Sequence, residues 1–215
     1  MSDDLAARYY LDLAAAYVRG LHPGWTGLDA HELFRRGLAA GVRLHRFKRN
    51  AGLPRVRRVL GLLRGLAPAE LLDVGSGRGA FVWPLLDEMP SLPVTAIDLD
   101  VRRVEQLRAV AHGGCERLRA EHRDVCALDF PDGSFDGVTV LEVLEHLPQP
   151  ARAVAETVRV ARRFVVVSVP SHEDDNPGHL HLLDRPTLEA MFTLAGARSV
   201  RVEQVPGHLV VLALR

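Results

Sequence analysis

The segment Gly75-Ser76-Gly77-Arg78-Gly79 has the composition of a loop that cradles a nucleotide-like cofactor. Glycine has no Cβ, so the backbone can turn tightly and a ligand can lie against it. The apolar residues of 71–74 predict a buried strand before the loop, and apolar residues at helical spacing from Phe81 predict a helix after it. The free N–H groups at the start of such a helix favour polar or anionic ligands. Glycine also serves purely steric needs in tight turns, so the loop by itself is not specific.

Acidic residues follow two further predicted strands. Asp98 ends the apolar segment 94–98, and Asp124 lies in a third, weaker strand predicted around 118–125. In open parallel sheets, ligands bind beyond the carboxyl ends of the strands. A carboxylate at such a position can accept from two hydroxyl groups of one ligand, because both of its oxygens are acceptors. Asp124 has an alternative interpretation as a turn-forming aspartate.

Two carboxylates and a histidine follow the fourth predicted strand, FDGVTVLEV (135–143). If the segment after this strand is helical, Glu142, Glu145 and His146 lie on one face at positions i, i+3 and i+4. His179 and His181 alternate in an extended run and can share a face. Side chains of these types can move a proton or bind a metal ion.

The order of elements required to position these residues is that of an α/β fold. The first 69 residues predict helices at 3–20, about 30–40 and from Pro54, with no strand. From residue 70 onwards strands and helices alternate, which predicts a mostly parallel sheet with right-handed crossovers. SVRVEQV and HLVVLAL flank Pro206-Gly207 and predict a C-terminal antiparallel hairpin at one sheet edge. We expect a helical segment over 1–69 and a ligand-binding domain over 70–215.

Length and composition limit the class of protein. The chain has 215 residues, of which 47% are hydrophobic, enough for one full core with an appended segment. It contains no apolar run of about 18 residues, so we expect no membrane span. The N-terminus lacks the order of charge and apolarity of a secretory signal, which favours a cytoplasmic protein. Cys115 and Cys126 are expected to be reduced thiols rather than a disulfide or metal site.

Charge is unevenly distributed although the formal net charge is zero. The first 69 residues carry 12 Lys and Arg against five Asp and Glu, whereas residues 70–215 carry 15 against 22. The positive excess lies between Arg43 and Arg64. It could attract an anionic partner, but we favour solvated faces of amphipathic helices within one protein.

Taken together, these motifs resemble the class I S-adenosylmethionine-dependent methyltransferases, in particular the methyltransferase type 11 group. The resemblance covers about two-thirds of the chain and rests on five segments: LLDVGSGRG (71–79), VTAIDLD (94–100), RDVCALDFPDGSFDGV (123–138), VLEVLEHLPQP (140–150) and, more loosely, HLHLLDRPTLEAMFTLAGA (179–197). It implies a Rossmann-like sheet of seven strands with an N-terminal helical lid. It also implies methyl transfer from S-adenosylmethionine to a small-molecule acceptor.

By this resemblance, Asp98 takes the two ribose hydroxyls, Asp73 lies near the methionine ammonium group, and the Leu141 carbonyl faces the same ammonium. The glycine loop passes under the methionine end, Asp124 accepts from the adenine amino group, and the Val125 N–H meets the ring. The residues assigned to the cofactor are Asp73, Gly75, Ser76, Gly77, Asp98, Leu99, Asp124, Val125 and Leu141.

Methyl transfer needs little from the protein beyond positioning, and a base only if the acceptor must lose a proton. The candidate catalytic residues are His146, Glu145 and His181. Together with Glu142 they are similar to the Glu-x-x-Glu-His motif and later histidine of the metal-dependent small-RNA 3′-terminal 2′-O-methyltransferases. The same Glu-His pair is common in small-molecule enzymes without a metal, and we assign no residue to a metal ion.

Three other interpretations stay open. Gly75, Gly77 and Ala80 formally satisfy the G-x-G-x-x-A pattern of dinucleotide enzymes, with Asp98 at the expected distance, but FDGVTVLEVLEH and the hairpin favour the methyltransferase pattern. An RNA acceptor is supported only by the basic stretch and the Glu/His group. A non-catalytic cofactor-binding module is the third.

The segment HRFKR (45–49) combines cations with an aromatic residue. Arg46 or Lys48 could reach the cofactor carboxylate or an anionic substrate. Alternatively, the charges are solvated and Phe47 packs in the core, which we favour. Aromatic residues of the N-terminal segment could line an acceptor pocket or belong to the core: Tyr9, Tyr10, Trp25 and Phe34.

Overall fold

The seven strands of the protein form one mixed sheet in the order β3-β2-β1-β4-β5-β7-β6, which confirms the predicted fold class. The computed structural model describes residues 3–173 and 175–215. The side chain of Asp3, with which the predicted helix 3–20 begins, and the whole of Asp174 lie outside this description. The strands are β1 Leu71–Val74, β2 Val94–Asp98, β3 Leu118–His122, β4 Phe135–Leu141, β5 Ala161–Pro170, β6 Ser199–Val205 and β7 His208–Leu214.

Eight α-helices are found in the described part of the chain. They are α1 Asp3–Arg8, α2 Leu11–Leu21, α3 Ala30–Ala39, α4 Pro54–Leu66, α5 Val82–Glu88, α6 Val101–His112, α7 Pro150–Val160 and α8 Arg185–Leu194. The prediction of one helix over 3–20 was wrong. The helix is interrupted because the Tyr10 N–H donates to the Phe47 carbonyl at 2.8 Å, and Tyr9 forms an isolated antiparallel bridge with Lys48.

Two compact units make up the chain. The first comprises the chain up to Gly52 together with Ser76–His122, and the second comprises Leu53–Gly75 together with Arg123–Arg215. The functional boundary expected at residue 69 stays a prediction.

In the first unit, β2 and β3 pair in parallel, with Asp98 opposite His122. Helices α2 and α6 approach closely where glycines replace side chains, because a Cβ on Gly113 would lie 1.7 Å from the Ala16 carbonyl oxygen. An aromatic group of Tyr17, Phe47 and Trp83 is buried beside these helices, with ring centroids about 5 Å apart. Phe47 is therefore a core residue, as predicted.

In the second unit, β1, β4 and β5 are parallel, and β7 pairs antiparallel with both β5 and β6. The predicted hairpin is confirmed, and Gly207 takes a positive φ of 81° in its turn. Val165, Val166 and Val167 are consecutive residues of β5 and all are buried, so both faces of this strand are covered. A Cβ on Gly137 of β4 would lie 2.2 Å from the Phe164 ring, so this residue lets the ring pack against the sheet.

The buried carboxylate of Asp136 links stability to pH. It accepts from the Ala69 N–H at 2.9 Å and pairs with Arg162 and Arg163, and these contacts lower its pKa below the usual value. The unfolded chain binds this proton more readily, so the stabilisation is complete above the unfolded pKa of about 4 and is lost as the pH falls through the lowered folded value.

We therefore expect the free energy of unfolding, measured in urea, to decrease below about pH 4. Asp136→Asn should be less stable at neutral pH, and its free energy of unfolding should decrease less steeply below about pH 4. If the variant loses stability in acid as steeply as the wild type does, Asp136 does not contribute to this loss.

No helix in the described ranges is long and apolar enough to cross a membrane. Cys115 is buried, Cys126 is partly buried and both are free thiols, as expected; burial raises the pKa of each thiol.

Candidate active site

The glycine loop and the end of β2 are joined by backbone hydrogen bonds within the first unit. The Ser76 N–H donates to the Ile97 carbonyl at 3.0 Å, and the Gly77 N–H donates to Oδ2 of Asp98 at 2.8 Å. Gly77 has a positive φ of 57°, a conformation that glycine adopts without strain. The loop and Asp98 are thus held as one rigid element.

The Asp98 carboxylate is buried but keeps capacity for a ligand. It is 6% exposed, and Oδ1 accepts from the Asp100 N–H at 2.8 Å. Arg103 lies 3.6 Å from Oδ2. An ionised carboxylate has about four acceptor positions, so these contacts leave room for a pair of hydroxyl groups. The neighbouring Leu99 side chain is 65% exposed, as an apolar surface for a ring would be.

Arg46 brings into the first unit a positive charge that has no carboxylate partner among the described residues. Its guanidinium bonds the Gln106 side chain and lies over the Tyr17 ring, whereas its buried Nε has no hydrogen-bond partner. Burial lowers the pKa of Arg46, and the nearby charges of Arg78 and Arg43 lower it further. Like charges near one another favour a bound anion. Lys48 is exposed, in agreement with a solvated charge.

In the second unit, β1 supplies Asp73 and the first glycine of the loop. Asp73 is 2% exposed, and its Oδ1 accepts from the Thr139 hydroxyl of β4 at 2.6 Å. Gly75 has a φ of +66°, and a Cβ there would lie 2.3 Å from a methyl group of Val143. The backbone at residue 75 can therefore lie this close to Val143 only because glycine has no side chain.

Asp124 forms the turn that the alternative interpretation foresaw. Its Oδ1 accepts from the Cys126 N–H at 2.8 Å, while the residue itself is exposed. Val125 is buried. The third strand ends at His122 rather than at Val125, so both residues lie in the loop that follows it.

The fourth strand ends at Leu141 rather than at Val143, because Glu142 takes a left-handed conformation with φ of +56°. Only Leu144–His146 is helical after it, as a single 3-10 turn. The expectation that Glu142 shares a helical face with Glu145 and His146 was therefore wrong. A strained non-glycine residue of this kind persists only where its surroundings hold it in place.

Glu142 is held by a network that the sequence did not reveal. Its Oε1 accepts from the Ser168 hydroxyl at 2.7 Å, its Oε2 lies 2.9 Å from Nε2 of His208, and Arg55 lies 3.9 Å away. The Glu142 N–H also donates to the Ser168 carbonyl at 3.0 Å. The one available signal was Ser168, a polar residue within the apolar strand FVVVSV. The network fixes the backbone directly after Leu141.

A second group consists of Glu145, His146 and His179, whose potential ligand atoms lie within 4.8 Å of one another. Glu145 is 1% exposed. Nδ1 of His146 lies 2.7 Å from the Gly178 carbonyl, so Nδ1 carries the hydrogen and Nε2 is left as an acceptor. Neither Glu142 nor His181 belongs to this group, contrary to the four-residue group considered from the sequence.

His181 is oriented by a different carbonyl. Its Nε2 lies 3.0 Å from the Leu147 carbonyl, which leaves Nδ1 as the acceptor. The extended segment around it borders a cavity of about 250 Å³. The lining residues are Pro170, His172, Glu173, His179, Leu180, His181 and Leu182. Leu180 and Leu182 are each about half exposed. The cavity is therefore lined by histidine side chains and also by apolar surface.

Comparison with known families matches residues 72–166 to the family described as methyltransferase domain. The malonyl-[acyl-carrier protein] O-methyltransferase of Geobacter sulfurreducens is 38% identical over 107 residues, which cover 49% of this chain and 40% of that protein. A ubiquinone biosynthesis O-methyltransferase of Paracidovorax citrulli is 38% identical over 111 residues, covering 48% of this chain and 44% of that protein. The chain thus spans less than half the length of these curated relatives.

Among solved structures, a SAM-dependent methyltransferase from Aquifex aeolicus superposes with a TM-score of 0.64. The two sequences are 22% identical, and the superposition covers 76% of this chain and 91% of that one. At this identity the similarity supports the fold.

Proposed function

We propose that this chain is a class I S-adenosylmethionine-dependent methyltransferase, which binds S-adenosylmethionine and transfers the methyl group to a small-molecule acceptor. The match of residues 72–166 to the methyltransferase-domain family supports this proposal. By name, the two relatives given above are a malonyl-[acyl-carrier protein] O-methyltransferase and a ubiquinone biosynthesis O-methyltransferase. The acceptor itself is not specified by this comparison.

The observation that carries the proposal is the position of the Asp98 carboxylate, which is buried and held by two backbone N–H groups. A buried carboxylate at the end of β2, fixed by the N–H groups of Gly77 and Asp100, suits a ribose whose two adjacent hydroxyls donate to it. Leu99 offers its exposed side chain beside this carboxylate. We assign the ribose to Asp98 on this basis.

The remaining cofactor assignments follow the family pattern. We propose that Ser76 and Gly77 contribute backbone N–H groups. Gly75, Asp73 and the Leu141 carbonyl are proposed for the methionine end, and Asp124 and Val125 for the adenine. The network around Glu142 supports the assignment of Leu141, because it holds the backbone on the carboxyl side of that residue in one conformation.

Arg46 is proposed to bind the carboxylate of the cofactor's methionine. Its guanidinium is half-buried and lacks an acidic partner among the described residues, and it adjoins the loop residue Arg78. A bound carboxylate would accept from guanidinium N–H groups and offset the repulsion between the two cations.

S-adenosylmethionine supplies an activated methyl group, so correct placement of the acceptor provides most of the acceleration. The acceptor is proposed to bind at the cavity of about 250 Å³, which is lined by both imidazole and apolar side chains. An acceptor hydroxyl must lose a proton. His181 lines the cavity, and the His146 ring lies against that of the lining residue His179, with 4.8 Å between the ring centroids, so these two histidines are proposed to take the proton. Glu145, buried in the group with His146, can stabilise the imidazolium that forms.

His146→Ala is expected to lower turnover about 10²–10⁴-fold while leaving the affinity for S-adenosylmethionine unchanged, because it removes a proton acceptor and not a cofactor ligand. His181→Ala is the matched comparison. Turnover and calorimetric affinity are measured for each variant. Full turnover in His146→Ala would remove this residue from the mechanism, and full turnover in both would show that the acceptor needs no base from this set.

The acceptor class is tested with labelled S-adenosylmethionine in cell extract that is then fractionated into small molecules, protein and RNA. The proposal predicts label in the small-molecule fraction. Label confined to RNA or protein would contradict the proposed acceptor. Binding of the cofactor without any transfer in any fraction would favour a non-catalytic module.

A further inference from the structure

Four arginines converge around one cavity of the second unit, at the end of β5 opposite to Ser168. The cavity measures about 450 Å³ and is termed the arginine pocket. It is lined by Leu66, Arg162, Arg163, Phe164, Arg198, Leu214 and Arg215. Arg163 and Ser168 are five residues apart in β5, which corresponds to about 16 Å along a strand. The arginine pocket is therefore separate from the network around Glu142.

The positive charge of the arginine pocket exceeds that of its acidic partners. Arg162 pairs with Asp136 and with Glu70, and Arg163 lies 3.6 Å from the same Asp136. These two carboxylates are the acids that contact the four guanidinium groups within the described residues. Four guanidinium groups of the pocket thus meet two acidic side chains.

The two other arginines make no ion pair in the described part of the chain. Nη1 of Arg215 donates to the carbonyls of Arg159 and Ala161, which fixes the guanidinium without neutralising it. Arg198, directly before β6, is exposed, and its side chain makes no hydrogen bond or ion pair to any residue that the structure describes. Residues from distant parts of the sequence thus bring like charges together, an arrangement that an anion stabilises.

The walls between the arginines are apolar. Leu66, Phe164 and Leu214 line the pocket, and the Arg163 guanidinium lies 5.9 Å from the centroid of the Phe164 ring. The planar fork of arginine matches the oxygens of a phosphate group, and it does so in a bidentate manner. We infer that the arginine pocket binds a small organic molecule through a phosphate or pyrophosphate group. This inference does not depend on methyl transfer.

Calorimetric titrations with inorganic pyrophosphate and with ADP, at fixed ionic strength, test the inference on the full chain. Both probes are expected to bind saturably, with an affinity that falls as salt is added. ADP should bind more tightly because its organic part can contact the apolar walls. Pyrophosphate binding without ADP binding would contradict an organic ligand.

Arg198→Glu is expected to weaken pyrophosphate binding at least about tenfold, as the loss of a charged hydrogen bond does. The folded state should persist because the exposed Arg198 side chain has no partner among residues 3–173 and 175–215. Arg163→Gln, which removes the charge but keeps a polar side chain, should weaken binding in the same direction. Arg57→Glu changes the charge equally at an exposed position of α4 outside the pocket and should leave binding unchanged.

Two results would overturn the inference. The first is the absence of saturable binding by the wild-type chain to either probe. The second is an equal loss of affinity in Arg57→Glu and Arg198→Glu, which would indicate a response to net charge rather than a site.

Discussion

Asp98→Ala is expected to lower the affinity for S-adenosylmethionine at least tenfold, and up to about 100-fold. The change removes a charged acceptor, and the loss of one hydrogen bond to such a group typically costs about 1.5–3 kcal/mol, which is about 10- to 100-fold in affinity. It also leaves the N–H groups of Gly77 and Asp100 without the carboxylate that now fixes them. The loop should therefore lose its order together with its ligand. Affinity is measured by calorimetry, and the fold is checked by circular dichroism.

Asp100→Ala is the matched control for this change. Asp100 is an acid two residues away that caps α6 by accepting from the Arg102 N–H. Its loss should cost about 1 kcal/mol of stability and leave the cofactor affinity nearly unchanged. Equal losses of affinity in both variants would mean that local negative charge, rather than the Asp98 carboxylate, supports binding. Unchanged affinity in Asp98→Ala would make the ribose assignment wrong.

Gly113→Ala is expected to destabilise the protein by about 3 kcal/mol, at the upper end of what overpacking usually costs. The new Cβ would lie 1.7 Å from the Ala16 carbonyl oxygen and 2.9 Å from the Gly20 nitrogen. Both are backbone atoms, so a whole helix must move to make room. Gly113 has a negative φ of −82°, and the penalty is therefore the clash and not backbone strain. A decrease of about 6–12 °C in Tm would correspond to this loss.

Gly61→Ala provides the comparison. Gly61 lies inside α4, where a Cβ would meet nothing within 4 Å. Alanine in a helix interior is favoured over glycine by about 0.5–1 kcal/mol, so this variant should be as stable as wild type or more stable. If Gly113→Ala is tolerated as well as Gly61→Ala, the close approach of α2 and α6 is wrong.

The sheet could be predicted because its signals are local. Each apolar segment from Leu71 to Leu214 is bounded by glycine, proline or an acid, and the alternation with helical spacing specifies parallel pairing. The Pro206-Gly207 turn likewise predicts the hairpin from adjacent residues. Asp98 was identified by the same means, since it ends an apolar run of five residues.

Features decided by distant partners could not be predicted. The residues of 3–20 have a continuous helical pattern, yet the chain breaks at Tyr9 and Tyr10 because the segment around Phe47 offers a backbone partner. Glu142 gives no local sign of its left-handed conformation. That conformation depends on Ser168 and His208, which are 26 and 66 residues away.

The side-chain groups at the candidate site show the same limit. His179, rather than His181, joins Glu145 and His146, because the carbonyl of Leu147 holds the His181 ring elsewhere. Arg46 could be listed from sequence as a cation near an aromatic residue, but its burial and its missing acidic partner became visible only in the fold. Spacing therefore identified the residue types, and tertiary contacts decided which of them act together.

Titration of the wild-type chain with S-adenosylmethionine, with NAD⁺ in a parallel experiment, tests the proposed cofactor most directly. We predict saturable binding of one S-adenosylmethionine per chain and no binding of NAD⁺. The prediction rests on the Asp98 carboxylate and on the match of residues 72–166 to the methyltransferase-domain family. A chain that binds NAD⁺ instead, or that binds neither molecule, would contradict the proposed function.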